Sequence, residues 1–334
     1  MVADIVAPMV ASPELLRAAE LASSGQGDEA RAIVQKLANG GDAEALYTLA
    51  DMYWRGALVE LDWTKAVATF AAAEAAGNAI AGHVLTNLMA SGVGCRRDWT
   101  GALERLSGEA AQDEQRAAIL RLVEAMGIDE AGDPVRPPPG QQVLTSPDVR
   151  AFPALFTPAE CLHLCALARP NLTPSLVTGP NLEQVPDPIR TSECATVHHL
   201  IEDPAVHALN RRLATASGSD FACGEPLLVL RYRPGQHYLN HLDALPGLTN
   251  QRVKTALVYL NAGYDGGQTA FPAARQAYRG QVGDAIVFRN VDDDGRADQA
   301  SVHAGLPVVT GEKYLASRWI RENPMFDETG PLSD

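Results

Sequence analysis

The sequence predicts a multidomain α plus β chain in which an N-terminal α-helical repeat solenoid is followed by a jelly-roll of short strands. Three observations predict it: a helix-period pattern that matches itself at an offset of 36 residues, an abrupt Pro/Gly-rich stretch from Ile128 to Ser146, and short β-branched or aromatic runs after Pro226. With 334 residues the chain is long enough for two cored domains. The expected division is a repeat domain over 1–127, a linker over 128–146 and a strand-rich domain over 147–334.

In the first part, Gly56/Gly92, Asp62/Asp98, Trp63/Trp99, Ala66/Ala102 and Ala45/Ala81 coincide at the 36-residue offset. Each unit reads as a helical hairpin: an Ala45-Leu46-Leu49-Met52-Tyr53 face, a glycine-containing turn, then an Ala-rich helix from about Trp63 to Ala76. A weaker copy begins near Asp28 and a degenerate unit runs from Glu109 to Met126. Small alanines let the helices approach closely, and Tyr47, Trp54, Trp63 and Phe70 supply the bulk. The A-x-x-L-A-x-M-Y-x-x-G, D-W-x-x-A and A-A-x-x-G elements over about 28–112 resemble Sel-one-like repeats, relatives of tetratricopeptide repeats. Such an array either presents a groove to a protein partner or caps the neighbouring domain.

The connector carries three successive prolines, Pro137 to Pro139, flanked by glycine, and reads as semi-rigid and extended. Beyond it, Thr157-Pro158-Ala159-Glu160 has the form of a capped helix start, with the helix expected through about Ala168. Strands are expected at Leu227–Arg233, Thr255–Asn261, Asp284–Arg289, Val302–Val308 and Tyr314–Arg321.

Composition narrows the function. The formal charge is −14, from 27 Lys+Arg against 41 Asp+Glu, and it is shared about equally by the two parts. Without a basic cluster the chain is not expected to bind nucleic acid. No stretch of 18 apolar residues occurs and the N-terminus lacks the basic and apolar regions of a secretory leader, so a cytoplasmic location with no membrane partner is expected. Five cysteines are an odd, scattered set, best read as thiols. Cys161 and Cys165 are expected half-buried on a helix, with no zinc site.

The chemistry concentrates in Tyr232-Arg-Pro-Gly-Gln-His-Tyr-Leu-Asn-His241-Leu-Asp243. Alternate side chains of an extended chain share a face, so His241 and Asp243 project together toward one metal. His303, on a later strand, is the expected third ligand. Two imidazoles and one carboxylate leave open positions, as in the facial triad of non-haem Fe(II) oxygenases. Lys313 follows ten residues after His303 and shares parity with Leu315, Ser317 and Trp319. A lysine facing a barrel interior needs an anionic partner, which a dicarboxylic cosubstrate provides, and Tyr232 shares a face with Leu228 and Leu230 and reaches the same pocket.

Together with Arg190-Thr-Ser192, Leu257-Val-Tyr-Leu-Asn261, Gly266-Gly-Gln-Thr-Ala-Phe271, Gly283-Asp-Ala-Ile-Val-Phe288, Val302-His-Ala-Gly-Leu-Pro-Val308 and Gly311-Glu-Lys313, these elements resemble the prolyl 4-hydroxylase branch of the 2-oxoglutarate and Fe(II)-dependent oxygenases over about Arg150 to Asn323. The resemblance implies a double-stranded β-helix oxygenase domain, Fe(II) on His241, Asp243 and His303, and 2-oxoglutarate on Lys313 and Tyr232 with Thr269 as a further contact. It also implies O2 as oxidant, L-ascorbate as reductant, and hydroxylation of proline in a protein or peptide with release of succinate and CO2. Arg190 is a candidate for contacting the peptide or ordering the loop over it. Ala244-Leu245 after the aspartate and Gln268 in the Gly-Gly element depart from the usual pattern of the branch.

Two other readings stand beside this one: a hydroxylase of a free amino acid or small metabolite, and a non-catalytic interaction or sensing protein that uses the repeats. Asn290-x-Asp292-x-Asp294-Gly295 copies half of a calcium loop, but Ser301 stands where the closing glutamate belongs, so a hairpin turn is expected. His237 is read as lying beyond the metal shell, and Arg211-Arg212 and Arg96-Arg97 as solvated faces.

Overall fold

The computed structural model describes residues 12–136, 139–178, 183–327 and 330–332. Most of the N-terminal segment read for a leader, residues 1–11, and the first two connector prolines lie outside the described residues. The chain forms two compact units.

The first unit is helical: α1 Pro13–Ser23, α2 Gly27–Asn39, α3 Ala43–Arg55, α4 Trp63–Ala75, α5 Ala79–Ser91, α6 Trp99–Ala110, and the start of α7 Glu114–Ala125. The 36-residue offset relates α3 to α5, and α2 to α4 to α6, so the weak copy near Asp28 is the second helix of an earlier hairpin. The repeated residues are those that start, stop and space the helices. Asp62 and Asp98 cap α4 and α6 by accepting from the backbone N–H of Lys65 and Gly101. Gly56 and Gly92 end α3 and α5 in the left-handed conformation, at φ 64° and 75°. Ala45, Ala66, Ala81 and Ala102 are all fully buried, where any larger side chain would push the helices apart. Trp54 and Trp63 stack at 4.5 Å, and the Trp63 indole N–H donates to the Trp54 carbonyl at 3.0 Å.

Two segments distant in sequence, His199–Pro204 and Phe326–Pro331, belong to this helical unit. Within it Asn87 Nδ2 donates to the Leu200 carbonyl at 2.9 Å, and the His199 ring lies edge-on to Phe326 at 4.9 Å.

The second unit is built on an antiparallel eight-stranded sheet. Its order is Gln141–Thr145, Asp148–Phe152, Ala285–Arg289, Arg252–Tyr259, Lys313–Arg321, Leu227–Tyr232, Glu193–Val197, Thr173–Pro174. A four-stranded sheet, Gln276–Tyr278, Thr269–Phe271, His303–Gly305, Tyr238–His241, faces it. Leu230, Leu257, Ile286 and Leu315 of the large sheet pack with Phe271 of the small one in a single core. This is the jelly-roll class that the strand pattern predicts, with two local differences. The first strand, Gln141–Thr145, starts inside the stretch read as a linker. The expected strand Val302–Val308 is two: His303–Gly305 joins the four-stranded sheet and Val308–Thr310 pairs with Asp265–Gly266, because Pro307 interrupts the ladder between them.

Helix α8, Pro158–Ala168, opens with the predicted capping box: Thr157 accepts from the Glu160 amide and the Glu160 carboxylate from the Thr157 amide. Glu160 also receives Arg212 from α9, Pro204–Ser217, at 2.9 and 3.1 Å. The reading of Arg211-Arg212 as a solvated face is therefore corrected. Arg211 makes a two-pronged pair with Asp133, and Arg212 is mostly buried against Glu160 and the Leu155 carbonyl. In the helical unit Arg97 likewise donates to the Ala90 carbonyl at 3.1 Å, while Arg96 is exposed. Cys161 and Cys165 are fully buried instead of half-buried, and burial pushes their thiols up to about 12 and about 11.

Candidate active site

A cavity between the two sheets gathers the residues singled out in the sequence: His241, Asp243, His303, Lys313, Tyr232, Thr269 and Arg190 all line it. Leu315, Ser317 and Trp319, placed by parity on the face of Lys313, line it as well. His237 is not among its lining residues. Its Nδ1 faces the Gly235 carbonyl at 3.2 Å.

Strand register places the two imidazoles. His303 pairs directly across from His241 in the four-stranded sheet, and their ring centroids are 4.1 Å apart. Asp243 follows two residues after the strand end, with Oδ1 3.7 Å from His241 Nε2 and Oδ2 3.6 Å from His303 Nε2. Among the described residues this is the group whose donor atoms all lie within 4.8 Å of one another. Each imidazole has its Nδ1 against a backbone carbonyl, His241 on Leu239 at 2.8 Å and His303 on Ser301 at 3.0 Å. A carbonyl only accepts, so both rings carry a proton on Nδ1 and turn Nε2 toward the carboxylate. Burial and the neighbouring His303 hold His241 down to about 3, which keeps it neutral and ready to ligate. Burial opposes ionisation of Asp243, but the facing imidazoles and the Thr255 hydroxyl outweigh it and hold the carboxyl below its usual range. Two imidazole Nε2 atoms and one carboxylate, with second hydrogen bonds orienting each of them, fit a divalent metal.

The Asp243 carboxylate is fixed from behind. Thr255 Oγ1 donates to Oδ2 at 2.6 Å, and Asn290 Nδ2 donates to Thr255 Oγ1 at 2.9 Å. Tyr238 covers His241 in a parallel stack at 3.5 Å, and the Arg190 guanidinium lies 4.9 Å from the Tyr238 ring centre. Arg190 is buried, donates through Nη1 to the Leu176 carbonyl at 3.2 Å, and keeps its Nε without a partner among the described residues.

Further along the cavity, Lys313 sits across from Tyr232 in the strand register and is only 2% exposed. Its ammonium donates to the Gly267 carbonyl at 2.7 Å and lies 5.3 Å from both the Tyr232 and the Tyr259 ring. Burial, reinforced by the Arg279 charge, pushes Lys313 down to about 7. A cation held in that state gains strongly from an anion. Burial raises the Tyr232 phenol, which stays neutral and able to donate. Thr269 Oγ1 faces the Tyr259 hydroxyl at 2.8 Å, and that hydroxyl also faces the Tyr278 carbonyl at 3.2 Å. Tyr259 has one proton, so Thr269 donates into the cavity only when Tyr259 donates to Thr269.

Thr255, Asn290, Tyr238 and Tyr259 were not singled out as site residues from the sequence. Parity carried a signal for Thr255, a polar residue two positions before Leu257 on the cavity side. Asn290 carried none, because its contact spans 35 residues.

This chain is similar to several known proteins. The family model described as "2OG-Fe(II) oxygenase superfamily" matches residues 227–321. Prolyl 4-hydroxylase 1 of Arabidopsis thaliana is 33% identical over 197 residues, covering 53% of this chain and 70% of that protein. Prolyl 4-hydroxylase 2 of the same plant is 32% identical over 213 residues, with 56% and 71% covered. Among solved structures, the viral collagen prolyl hydroxylase of Paramecium Bursaria Chlorella virus-1 in its 2OG complex is 27% identical, covers 52% of this chain and 95% of its own, and has a TM-score of 0.40.

Proposed function

Since the chain belongs to the prolyl 4-hydroxylase family of 2OG-Fe(II) oxygenases, we propose that His241, Asp243 and His303 hold its Fe(II), that Lys313 and Tyr232 hold 2-oxoglutarate, and that the substrate is proline in a protein or peptide. The observation that carries the assignment is the convergence of two Nε2 atoms and one carboxylate at the cavity that also buries Lys313. The family implies Fe(II), 2-oxoglutarate and O2, and when bound these supply the oxidising power that puts one oxygen atom on proline and releases succinate and CO2.

The residues of this chain do the holding and the shielding. His241 and His303 present Nε2 because Leu239 and Ser301 claim Nδ1. Asp243 contributes the single negative charge, which leaves a divalent ion net positive and attractive to a second anionic ligand. Lys313 takes the far carboxylate of the dicarboxylic acid, and the Tyr232 hydroxyl donates to the same group. Thr269 adds a donor when Tyr259 turns its proton toward it. Arg190, over the Tyr238 ring with its Nε unclaimed among the described residues, would donate to a peptide carbonyl that reaches the cavity. The buried aromatic surroundings of His303, Phe288 at 4.7 Å and Phe271 at 6.0 Å, keep water from that side of the centre.

Three finer readings accompany this one. Ascorbate is the reductant that keeps the iron ferrous, and its omission is expected to shorten the active lifetime of the enzyme. The location is cytoplasmic: no described helix is long and apolar enough to cross a membrane, and all five cysteines are free thiols, which suits a reducing compartment. The helical repeats, residues 1–127, dock the protein substrate. His199–Pro204 and Phe326–Pro331 belong to the helical unit, so the test is substitution on its exposed helix faces instead of excision. The expected result is a higher KM for a folded substrate with an unchanged KM for a short proline peptide.

The deciding experiment follows succinate and the gain of one oxygen atom on a proline-containing peptide, beside free proline, for wild type and His241→Ala. Hydroxylated peptide from wild type and none from the variant is expected. Full metal binding and turnover in the variant would refute the ligand assignment, and hydroxylation of free proline alone would move the substrate to small metabolites.

A further inference from the structure

The segment Asn290-x-Asp292-x-Asp294-Gly295 is, as expected, a turn: Val291 bridges Ala297, and Asp292 Oδ1 accepts from the amides of Asp294 and Arg296 at 2.9 Å each. The side chain of its first residue, however, is fully buried and turned toward Thr255. Asn290 Nδ2 lies 2.9 Å from Thr255 Oγ1, and Asn290 Oδ1 lies 3.3 Å from it. Thr255 has one proton, and the short 2.6 Å contact to the ionised Asp243 takes it, so the Asn290 amide must be the donor. The direction of the chain is fixed: Asn290 to Thr255, Thr255 to Asp243.

The main chain of the same residue leads to a second ligand. Asn290 N donates to the Val253 carbonyl at 2.9 Å, which ties it to the strand that carries Thr255. The Asn290 carbonyl accepts from the Asp298 amide at 2.9 Å and closes the turn. The Asp298 carbonyl accepts from the Ser301 amide at 2.9 Å, and the Ser301 carbonyl accepts from His303 Nδ1 at 3.0 Å. One side chain and one backbone carbonyl thus reach Asp243 and His303 by separate routes.

We infer that Asn290 is a positioning residue for the metal centre: through the Thr255 hydroxyl it fixes the Asp243 carboxylate, while its main chain anchors the turn that delivers His303. Thr255 transmits the side-chain arm and Asn290 sets its polarity. The inference rests on the ligand assignment proposed above and adds to it the residues that set the strength of the centre. Removing groups that orient metal ligands weakens metal binding by roughly 10- to 100-fold.

The test is equilibrium binding of Mn(II) under anaerobic conditions to wild type, His241→Ala, Thr255→Val, Thr255→Ser, Asn290→Ala and the Thr255→Val/Asn290→Ala double variant. The electron paramagnetic resonance spectrum of the bound ion and the thermal melt of the metal-free protein are recorded beside it. Thr255→Val and Asn290→Ala are expected to weaken Mn(II) binding by about 10- to 100-fold, and Thr255→Ser, which keeps the hydroxyl, to stay within about threefold of wild type. The double variant is expected to be no weaker than Thr255→Val, because the two residues act in series. Metal affinity within twofold of wild type in both single variants, with melts intact, overturns the inference, and so does a double variant in which the two losses multiply. Should Asn290→Ala fail to fold, Asn290→Ser, which lacks the amide donor, takes its place under the same expectation. If wild type itself binds no better than His241→Ala, the ligand assignment has failed instead.

Discussion

Replacing Lys313 with methionine separates two effects of opposite sign. Burial, with Arg279 adding to it, moves the ammonium from 10.5 to about 7. At about 1.4 kcal/mol per tenfold, keeping that charge inside the protein without an anion costs about 5 kcal/mol. The folded pKa lies below the unfolded one, so the cost is fully present below pH 7 and fades as pH rises from about 7 toward 10.5. Methionine removes the cost but leaves the Gly267 carbonyl without its donor, worth about 1–3 kcal/mol. The ligand-free variant is therefore expected to be more stable than wild type by about 2–4 kcal/mol at pH 6, with the gain shrinking toward pH 9. Binding of 2-oxoglutarate runs the other way. Loss of a buried cation facing a carboxylate costs about 3–5 kcal/mol, or roughly 150- to 5,000-fold in Kd. Wild-type affinity for 2-oxoglutarate is also expected to be flat below pH 7 and to fall about tenfold per pH unit above it, because the lysine must be protonated to bind. Urea titration at pH 6 and pH 9 reads the first effect. Calorimetric titration of the Mn(II)-loaded protein with 2-oxoglutarate reads the second. A methionine variant less stable than wild type at pH 6, together with a wild-type Kd unchanged between pH 6 and 9, would refute the reasoning.

Other positions give sharper structural tests. Gly283 adopts φ 85° and a Cβ there would lie 1.8 Å from the Phe156 carbonyl oxygen, so Gly283→Ala is expected to cost at least about 4 kcal/mol and to leave the strand-rich unit unfolded by circular dichroism. In the helical unit, Trp63→Ala deletes both the stack on Trp54 and the indole hydrogen bond and should cost about 3–5 kcal/mol in chemical denaturation, whereas a loss under about 1 kcal/mol would remove the pair from the core. With thiols raised to about 12 and about 11 and both side chains buried, Cys161 and Cys165 should resist a thiol reagent at pH 8 in the native protein and react on unfolding. Mass mapping of the modified sites checks this.

What could be read in the sequence divides along a physical line. Two-residue periodicity places side chains on a face whatever the partner strand is, and it put Lys313, Leu315, Ser317 and Trp319 at one cavity before any register was known. His241 and Asp243 were legible as a pair by the same parity, while His303, 62 residues later, came in through its later strand and the family resemblance. The helical repeat showed itself through capping residues such as Asp62 and Asp98, whose role is local. Contacts set by register or by distant packing were hidden. Arg212 looks solvated until Glu160 of another helix reaches it, and Asn290 looks like part of a turn until the strand just before it, Ala285–Arg289, pairs with the one carrying Thr255. The strand Gln141–Thr145 follows directly on the connector prolines, and its pairing with Asp148–Phe152 comes from residues after the tight turn, so its own segment carries no sign of it.

The split of the three expected ligands between the sheets has a mechanical side. His241 and His303 ride on the four-stranded sheet, while Asp243 is bonded to Thr255 of the eight-stranded sheet. An ion shared by all three would rivet one layer to the other. Stripping it should let that edge breathe. Amide hydrogens of Tyr238–His241 and His303–Gly305 would then exchange faster, while those of Leu227–Tyr232, paired on both sides within the large sheet, would keep their pace. Filling the centre would then set how tightly the two walls are clasped around whatever lies between them.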